Sequence, residues 1–230
     1  MIGIIGAMDE EVNAIIEKMT NVESREKAGM TFNKGTLEGK EAVVVRSGIG
    51  KVNAGLCTQI LVDDYKIDAV INTGIAGSLK NQIDIGDIVL SSDALYHDMD
   101  ATGFGYDFGV VPRMESSVFK GDVRLINLAK ECCERVNPDI NVHIGRVVSG
   151  DQFISDKAKK DWINEHFDGY CTEMEGAAIA HAATLNNIPF LIVRAISDKA
   201  DNSATMDYGE FEKKAIIHSV NLIMEFVKNM

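Results

Sequence analysis

The sequence is poor in residues that interrupt or cross-link a chain. It has three prolines, one tryptophan and four cysteines in 230 residues. None of the cysteines forms a Cys-x-x-Cys pair, and the adjacent Cys132 and Cys133 fall in a helical pattern. We therefore expect all four to be reduced, partly buried thiols in a cytoplasmic protein.

The chain also lacks a long apolar run and a surplus of basic residues. No segment approaches the roughly 18 apolar residues that a membrane helix needs, and no basic region precedes an apolar stretch at the N-terminus. We therefore expect no membrane span and no signal peptide. The net charge of -12 argues against nucleic acid or an anionic membrane as a partner, although local charge still permits a small ligand.

What the chain does contain is an alternation of strand-like and helical segments. Predicted strands cover residues 1–5, 30–37, 41–46, 69–77, 84–90, 142–148 and 189–196. The first predicted helix has residues 9–11 in its first turn, and the second leads out of the turn at 47–53 and ends at about 64. Further predicted helices run from 122 to about 136 and cover 157–167, the small apolar run that ends at 183, and 211–230. This order predicts an α/β fold, with one domain over residues 1–230 and a central mixed, mostly parallel sheet flanked by helices.

Acidic residues occur at two points where α/β sheets bind ligands. Glu173 and Glu175 precede a small apolar helix, so at least one should lie at its N-terminus, where backbone N–H groups favour a carboxylate. Arg194, Ser197 and Asp198 end a predicted parallel strand, and ligands bind beyond the carboxyl ends of such strands. The two segments together predict one site.

Glu11 lies in the first helical turn after the first strand, together with Asp9 and Glu10. Complementing the helix dipole explains Asp9 and Glu10, but the pattern leaves a ligand role and a dipole role equally open for Glu11. Gly48 and Gly50 favour a tight strand–helix turn. A phosphate-binding loop is excluded there because the Gly-x-x-x-x-Gly-Lys-Ser/Thr spacing is absent.

Most other chemistries lack their residues. His97 and Asp98 have no second ligand at metal spacing, so we predict no metal, and no cofactor motif is present. Ser197 has no evident histidine partner and no Gly-x-Ser-x-Gly elbow. The remaining possibility is carboxylate chemistry, in which paired acids divide the acid and base roles and stabilise a sugar cation. Phe153 and Ile154 follow a strand end, where they either cover something apolar or belong to the core, and the pattern alone favours the core.

A series of motifs runs in order along almost the whole chain. They are GIIGAMDEEV at 3–12, SGIGKV at 47–52, NTGIAG at 72–77, YHD at 96–98, FGY at 104–106, SGDQFI at 149–154, EME at 173–175 and RAISD at 194–198. Together they resemble the 5′-methylthioadenosine/S-adenosylhomocysteine nucleosidases of the purine-nucleoside-phosphorylase-like superfamily. The resemblance implies hydrolysis of the N-glycosidic bond of these nucleosides, release of adenine, and a place in methionine salvage.

The resemblance also implies residue roles. Glu11 would activate water, Asp198 would protonate adenine at N7, and Glu175 would bind the ribose hydroxyls. Phe153 would stack on the purine and the Ile154 backbone would read its edge. The other implied substrate-binding residues are Met8, Ile49, Ala76, Gly77, Met174, Arg194, Ser197, Phe104 and Tyr208. A homodimer is implied, in which Tyr106 and Pro112 enter from the partner.

Two residues depart from the family pattern. Ile75 stands at a predicted turn position where a related bacterial enzyme has serine. The hydroxyl contact that this serine would make near the sugar or water is therefore absent. Tyr208 replaces phenylalanine and adds a polar tip to the pocket.

Two competing functions stay open. A phosphorylase would need arginines around a phosphate, and Glu11 and Asn72 argue against that. A non-catalytic nucleoside-binding module would not need both Glu11 and Asp198.

Overall fold

The computed structural model describes residues 1–202 and 204–230, apart from the side chains of residues 205–208 and 210. The strands are β1 (Ile2–Gly6), β2 (Thr20–Lys27), β3 (Met30–Leu37), β4 (Lys40–Arg46), β5 (Ala69–Ser78), β6 (Ile88–Tyr96), β7 (Phe119–Lys120), β8 (Val142–Ser149), β9 (Cys171–Glu173) and β10 (Phe190–Asp198). The helices are α1 (Asp9–Ile16), α2 (Lys51–Tyr65), α3 (Val123–Val136), α4 (Lys157–Phe167), α5 (Gly176–Leu185) and α6 (Ala204–Asn229).

The strands form a 10-stranded sheet in the order β10-β6-β8-β9-β5-β1-β4-β3-β2, with β7 beside β6. Because β10 also pairs with β5, the strands β5, β10, β6, β8 and β9 close into a ring. The pairings are parallel across β4, β1, β5 and β10 and across β6, β8 and β9. They are antiparallel where β10 meets β6, where β5 meets β9, and in the hairpins.

The α/β class and the mixed sheet are confirmed, and so is the hairpin of β3 and β4. The sheet is less parallel than expected, because β2 adds an antiparallel edge strand that we did not predict. β2 is polar and exposed along its whole length, so it carries no burial pattern. β6 begins four residues later than predicted, since Asp84 and Asp87 close a turn ahead of it.

Helices cover both faces of the sheet. On one face, apolar side chains of α1, α3 and α6 pack with those of β1 and β5 in one buried cluster. On the other face, α2 and α5 share a second cluster, in which the buried residues of α5 are alanines, one glycine and Ile179. Small side chains let the α5 backbone approach the sheet closely. No helix in the described ranges is long and apolar enough to cross a membrane.

The strand arrangement brings distant segments to one edge. β1, β5 and β10 run parallel, so their C-terminal ends lie side by side. The short β9 joins the end of β5, and its residue Thr172 is paired with Gly77. Residues 7–11, 75–77, 172–175 and 197–198 therefore meet at this edge.

Candidate active site

A cavity of about 450 Å³ opens at this edge of the sheet. It is lined by Ala7, Met8, Glu11, Ile49, Ile75, Ala76, Gly77, Gln152, Phe153, Ile154, Thr172, Glu173, Met174, Glu175, Ser197 and Asp198. Glu11 and the two acidic segments therefore line the same cavity, in agreement with the prediction that the two segments form one site.

Glu11 lies in the first turn of α1, and its side chain folds back onto the turn that follows β1. Oε2 accepts hydrogen bonds from the backbone N–H groups of Ala7 at 2.6 Å and Met8 at 3.0 Å. Oε1 accepts one from Ile75 in β5 at 3.2 Å. Burial raises the pKa of Glu11, and the Arg194 charge and these N–H groups oppose that rise. Glu11 therefore both caps the turn and faces the cavity.

Asp198 ends β10 directly across from Gly77 of β5. The Ser197 hydroxyl donates to Oδ2 at 2.9 Å, and the Ala200 N–H donates to Oδ1 at 2.8 Å. A Cβ on residue 77 would lie 2.7 Å from Oδ1, so this close approach requires glycine. The carboxyl group is thus buried and fixed in orientation at the cavity wall.

Glu173 and Glu175 hold the start of α5 in different ways. Glu173 Oε2 accepts from the N–H groups of Glu175 at 3.1 Å and Gly176 at 2.7 Å. Glu175 is the N-cap residue, and its Oε1 accepts from the Gly50 N–H at 2.8 Å. The prediction that at least one acid lies at a helix N-terminus is confirmed. Burial, and then the nearby Glu173 charge, raise the pKa of Glu175.

Arg194 balances part of this negative charge from behind the cavity wall. Its guanidinium is fully buried, pairs with Glu173, and donates to Asn72 Oδ1 at 2.6 Å. It also lies 3.6 Å from Glu175. Burial works against the guanidinium charge, but Glu173, Glu175 and Glu11 raise the pKa of Arg194. The arginine therefore stays charged and holds these carboxylates in place.

The loop after β8 forms the remaining wall. Phe153 is 52% exposed and faces the cavity, so its predicted core position is wrong. Ile154 is buried and belongs to a small apolar cluster with Val148 and Phe167, as predicted. Both residues line the cavity but differ in exposure, which an apolar pair in a sequence does not reveal.

Comparison with known proteins places this geometry in a family. The model of the phosphorylase superfamily matches residues 1–228. A 5′-methylthioadenosine/S-adenosylhomocysteine nucleosidase of Exiguobacterium sp. is 42% identical over 230 residues, which are 100% of this chain and 98% of that protein. That of Chromohalobacter salexigens is also 42% identical, over 100% of this chain and 97% of its own length.

The chain belongs to the 5′-methylthioadenosine/S-adenosylhomocysteine nucleosidase family.

Solved structures agree with this membership. The family member from Neisseria meningitidis, in complex with methylthio-immucillin-A, is 38% identical with a TM-score of 0.95 over 100% of this chain and 99% of its own. The native futalosine hydrolase of Helicobacter pylori is 32% identical with a TM-score of 0.94 over 100% of this chain and 97% of its own. The nucleoside-phosphorylase-like fold implied by the motifs is thus confirmed.

The structure separates the implied substrate-binding residues into two groups. Most of them line the cavity, but Arg194, Phe104, Tyr106 and Pro112 do not. Phe104 ends a 3₁₀ turn over Thr102–Phe104 and is 87% exposed, and Tyr106 is exposed on the same loop. Pro112 lies half-buried further along it. The Tyr208 side chain lies outside the described residues.

Some cavity residues were missed from the sequence. Ala7, Gln152 and Thr172 line the cavity but had no role assigned to them, although Ala7 and Gln152 lie inside quoted motifs and Thr172 directly precedes one. Thr172 belongs to β9, whose three residues are too few for a strand pattern. Ile75 is not in a turn, because it lies inside β5 with its side chain at the cavity.

Proposed function

We propose that the protein hydrolyses the N-glycosidic bond of 5′-methylthioadenosine and S-adenosylhomocysteine, releasing adenine with methylthioribose or ribosylhomocysteine. The observation that carries this proposal is the pair of buried carboxyl groups, Glu11 at the start of α1 and Asp198 at the end of β10, which line one cavity. The family membership supports the choice of substrate.

Asp198 is proposed as the general acid. Adenine is a poor leaving group as an anion, so a proton delivered to N7 lowers the barrier, and such catalysis typically contributes about 10²–10⁴-fold. Ser197 orients the carboxyl group through its 2.9 Å hydrogen bond.

Glu11 is proposed as the base that activates water. Its three backbone N–H donors fix the carboxylate at the cavity, and the raised pKa makes it a stronger base than an exposed glutamate. Positive charge develops on the ribose as the bond breaks, and the carboxylates of Glu173 and Glu175 lie in the same cavity to stabilise it.

The remaining wall residues are proposed to bind the nucleoside. Phe153 stacks on the purine and the Ile154 backbone reads its edge, with Ala76 and Gly77 beside them. Glu175 accepts hydrogen bonds from the ribose hydroxyls, and Met174 packs against the sugar. The 5′-thioalkyl pocket is assigned to Met8, Ile49, Phe104 and Tyr208.

A homodimer is proposed as the working form, with Tyr106 and Pro112 entering the partner's cavity. What supports this is that two segments expose large apolar side chains, residues 49–56 with Ile49, Val52 and Leu56, and residues 104–108 with Phe104, Tyr106 and Phe108. Covering such residues with a second copy removes apolar surface from water. Residues 1–230 are proposed to act as one domain, since strands from both ends of the chain share one sheet.

A cytoplasmic role in methionine salvage is also proposed. The four cysteines are free and buried, which suits a reducing compartment.

Chromatography of the products from methylthioadenosine, with and without phosphate, tests the proposed reaction. Adenine and free methylthioribose in phosphate-free buffer are expected. Cleavage that requires phosphate and yields a sugar 1-phosphate would contradict it. We expect hydrolysis because carboxylates line the cavity and no lysine or arginine is among its described lining residues. Futalosine should be assayed in parallel, because a structural neighbour is a futalosine hydrolase.

A further inference from the structure

An ionic cluster joins the start of α2 to the loop that carries Phe153. Lys51 Nζ lies 2.6 Å from Asp98 Oδ2 and 3.6 Å from Asp151 Oδ2. The Lys51 backbone N–H donates to Asp151 Oδ1 at 2.9 Å, and the Asp151 N–H donates to Asp98 Oδ2 at 2.9 Å. The three residues therefore hold one another through both side chains and backbone.

The surroundings of this cluster fix its position. The Lys51 ammonium lies 5.3 Å from the centre of the Tyr96 ring, within range of a cation–π interaction. Gly150, immediately before Asp151, rests on the buried His97 ring, because a Cβ there would lie 2.4 Å from Cε1. His97 therefore packs against the loop at Gly150, and Lys51 binds the loop at Asp151.

The cluster is directly connected to the cavity on two sides. Gln152 and Phe153, the next two residues after Asp151, both line the cavity. Gly50, the residue before Lys51, donates its N–H to Glu175 at 2.8 Å. The N-cap residue and the first residue of α2 therefore bind the carboxylate at the start of α5 and the loop that carries Phe153.

Because the Lys51–Asp98 ion pair is mostly buried, it contributes more binding energy than an exposed ion pair does. The side chains of Lys51 and Asp98 are 23% and 15% exposed. A charge-assisted hydrogen bond that is mostly shielded from water is stronger than a fully solvated one, and exposed pairs contribute little.

We propose that Lys51 and Asp98 are positioning residues that hold the loop carrying Phe153 against the cavity, so that the base-binding wall is formed before the nucleoside arrives. The inference rests on the proposed function, in which Phe153 stacks on the base. Neither residue lines the cavity, so both act through the loop.

Lys51→Met tests this role, because it keeps the aliphatic stem and removes the ammonium. Without the ammonium between them, Asp98 and Asp151 repel each other, and we expect the loop that carries Phe153 to move away from the cavity. We expect KM for methylthioadenosine to rise about tenfold while kcat changes less than about threefold. Hydrogen exchange of residues 149–156 should become faster than in the wild type.

Two further variants make the result specific. Lys51→Met combined with Asp98→Asn removes one of the two facing negative charges and with it their repulsion, so its KM should be no higher than that of Lys51→Met alone. Lys27→Met is the matched control, because it breaks a 2.9 Å lysine–aspartate pair with Asp64 on residues that do not line the cavity. Its KM should equal that of the wild type.

The outcomes separate this inference from the proposed function. Wild-type turnover with a KM in Lys51→Met within twofold of wild type would overturn the positioning role, and so would a loss confined to kcat. If Lys51→Met does not fold, Asp98→Asn alone is measured by the same criteria. Absence of wild-type hydrolysis in phosphate-free buffer would instead overturn the proposed function.

Discussion

Asp198 has both carboxyl oxygens engaged by the protein, one by the Ser197 hydroxyl and one by the Ala200 N–H. An asparagine can keep this shape but cannot deliver a proton. We expect Asp198→Asn to lower kcat by about 10²–10⁴-fold while the Kd for adenine, measured by calorimetry, changes less than about threefold.

Asp139→Asn is a suitable control for this change, because Asp139 is exposed and does not line the cavity. It should retain wild-type kcat. Near-normal turnover in Asp198→Asn would remove Asp198 from the acid role.

Glu175 provides a pH-dependent prediction. Its raised pKa means that the folded state disfavours the ionised form, so the ionised group costs stability at neutral pH. Glu175→Gln should therefore raise the stability at neutral pH by on the order of 1 kcal/mol. The gain should shrink as pH falls and vanish below about 4, where the carboxyl is protonated in both states. Calorimetric Tm values across this range measure it.

Glu225 supplies a control of opposite sign. The hydrogen bond from Arg135 holds the pKa of Glu225 below its ordinary value, so its contribution is present at neutral pH and is lost as pH falls. Glu225→Gln should not raise Tm at neutral pH. A Glu175→Gln variant whose Tm change is independent of pH would show that ionisation is not the cause.

At the scale of elements, β5 passes very close to the charged groups. A Cβ on Gly74 would lie 2.1 Å from Arg194 Nη1 and 2.4 Å from Glu11 Oε1. Gly74→Ala must displace both, so we expect a loss of about 1–3 kcal/mol in the free energy of unfolding, together with most of the activity. Denaturant unfolding and the adenine-release assay measure the two effects.

Gly55→Ala is the counterpart for Gly74→Ala. Nothing lies within 4 Å of a Cβ added at Gly55, which is inside α2. Alanine is the better helix former, so this variant should gain about 0.5–1 kcal/mol. Equal losses from both substitutions would contradict the explanation by crowding.

The elements also show what a sequence can predict. α4 has its predicted bounds, and the structure shows a local start signal in Asp156, whose side chain accepts from the Lys159 N–H. β7 and β9 were not predicted, because strands of two and three residues are too short to show an alternation of apolar and polar side chains. α6 begins at Ala204, seven residues before its predicted start.

The site divides in the same way. Carboxylates at strand and helix ends were identifiable, because turn positions in α/β proteins follow simple rules. The ion pair between Arg194 and Glu173 was not identifiable from the sequence. It depends on β10 and β9 pairing with opposite edges of β5, which no local pattern indicates.

At the scale of the whole molecule, the proposed dimer permits a test by complementation. Asp198→Asn removes the acid from its own cavity, and Tyr106→Asp is expected to damage the partner's cavity. A mixed dimer of the two variants would then contain one intact site. We expect activity to return when the two inactive proteins are unfolded together and refolded.

Sedimentation should show a dimer for each variant in that experiment. If mixing restores no activity although mixed dimers form, Tyr106 acts within its own chain and the partner contribution is contradicted.

The place of β10 in the ring has a consequence for the chain as it leaves the ribosome. β10 is the last strand to be made, yet it lies between β5 and β6 and carries Asp198. Until it emerges, those two strands present unpaired inner edges, of the kind that join other chains. We therefore expect a polypeptide that stalls before residue 190 to be inactive and prone to aggregate, and rapid completion of translation to limit that risk.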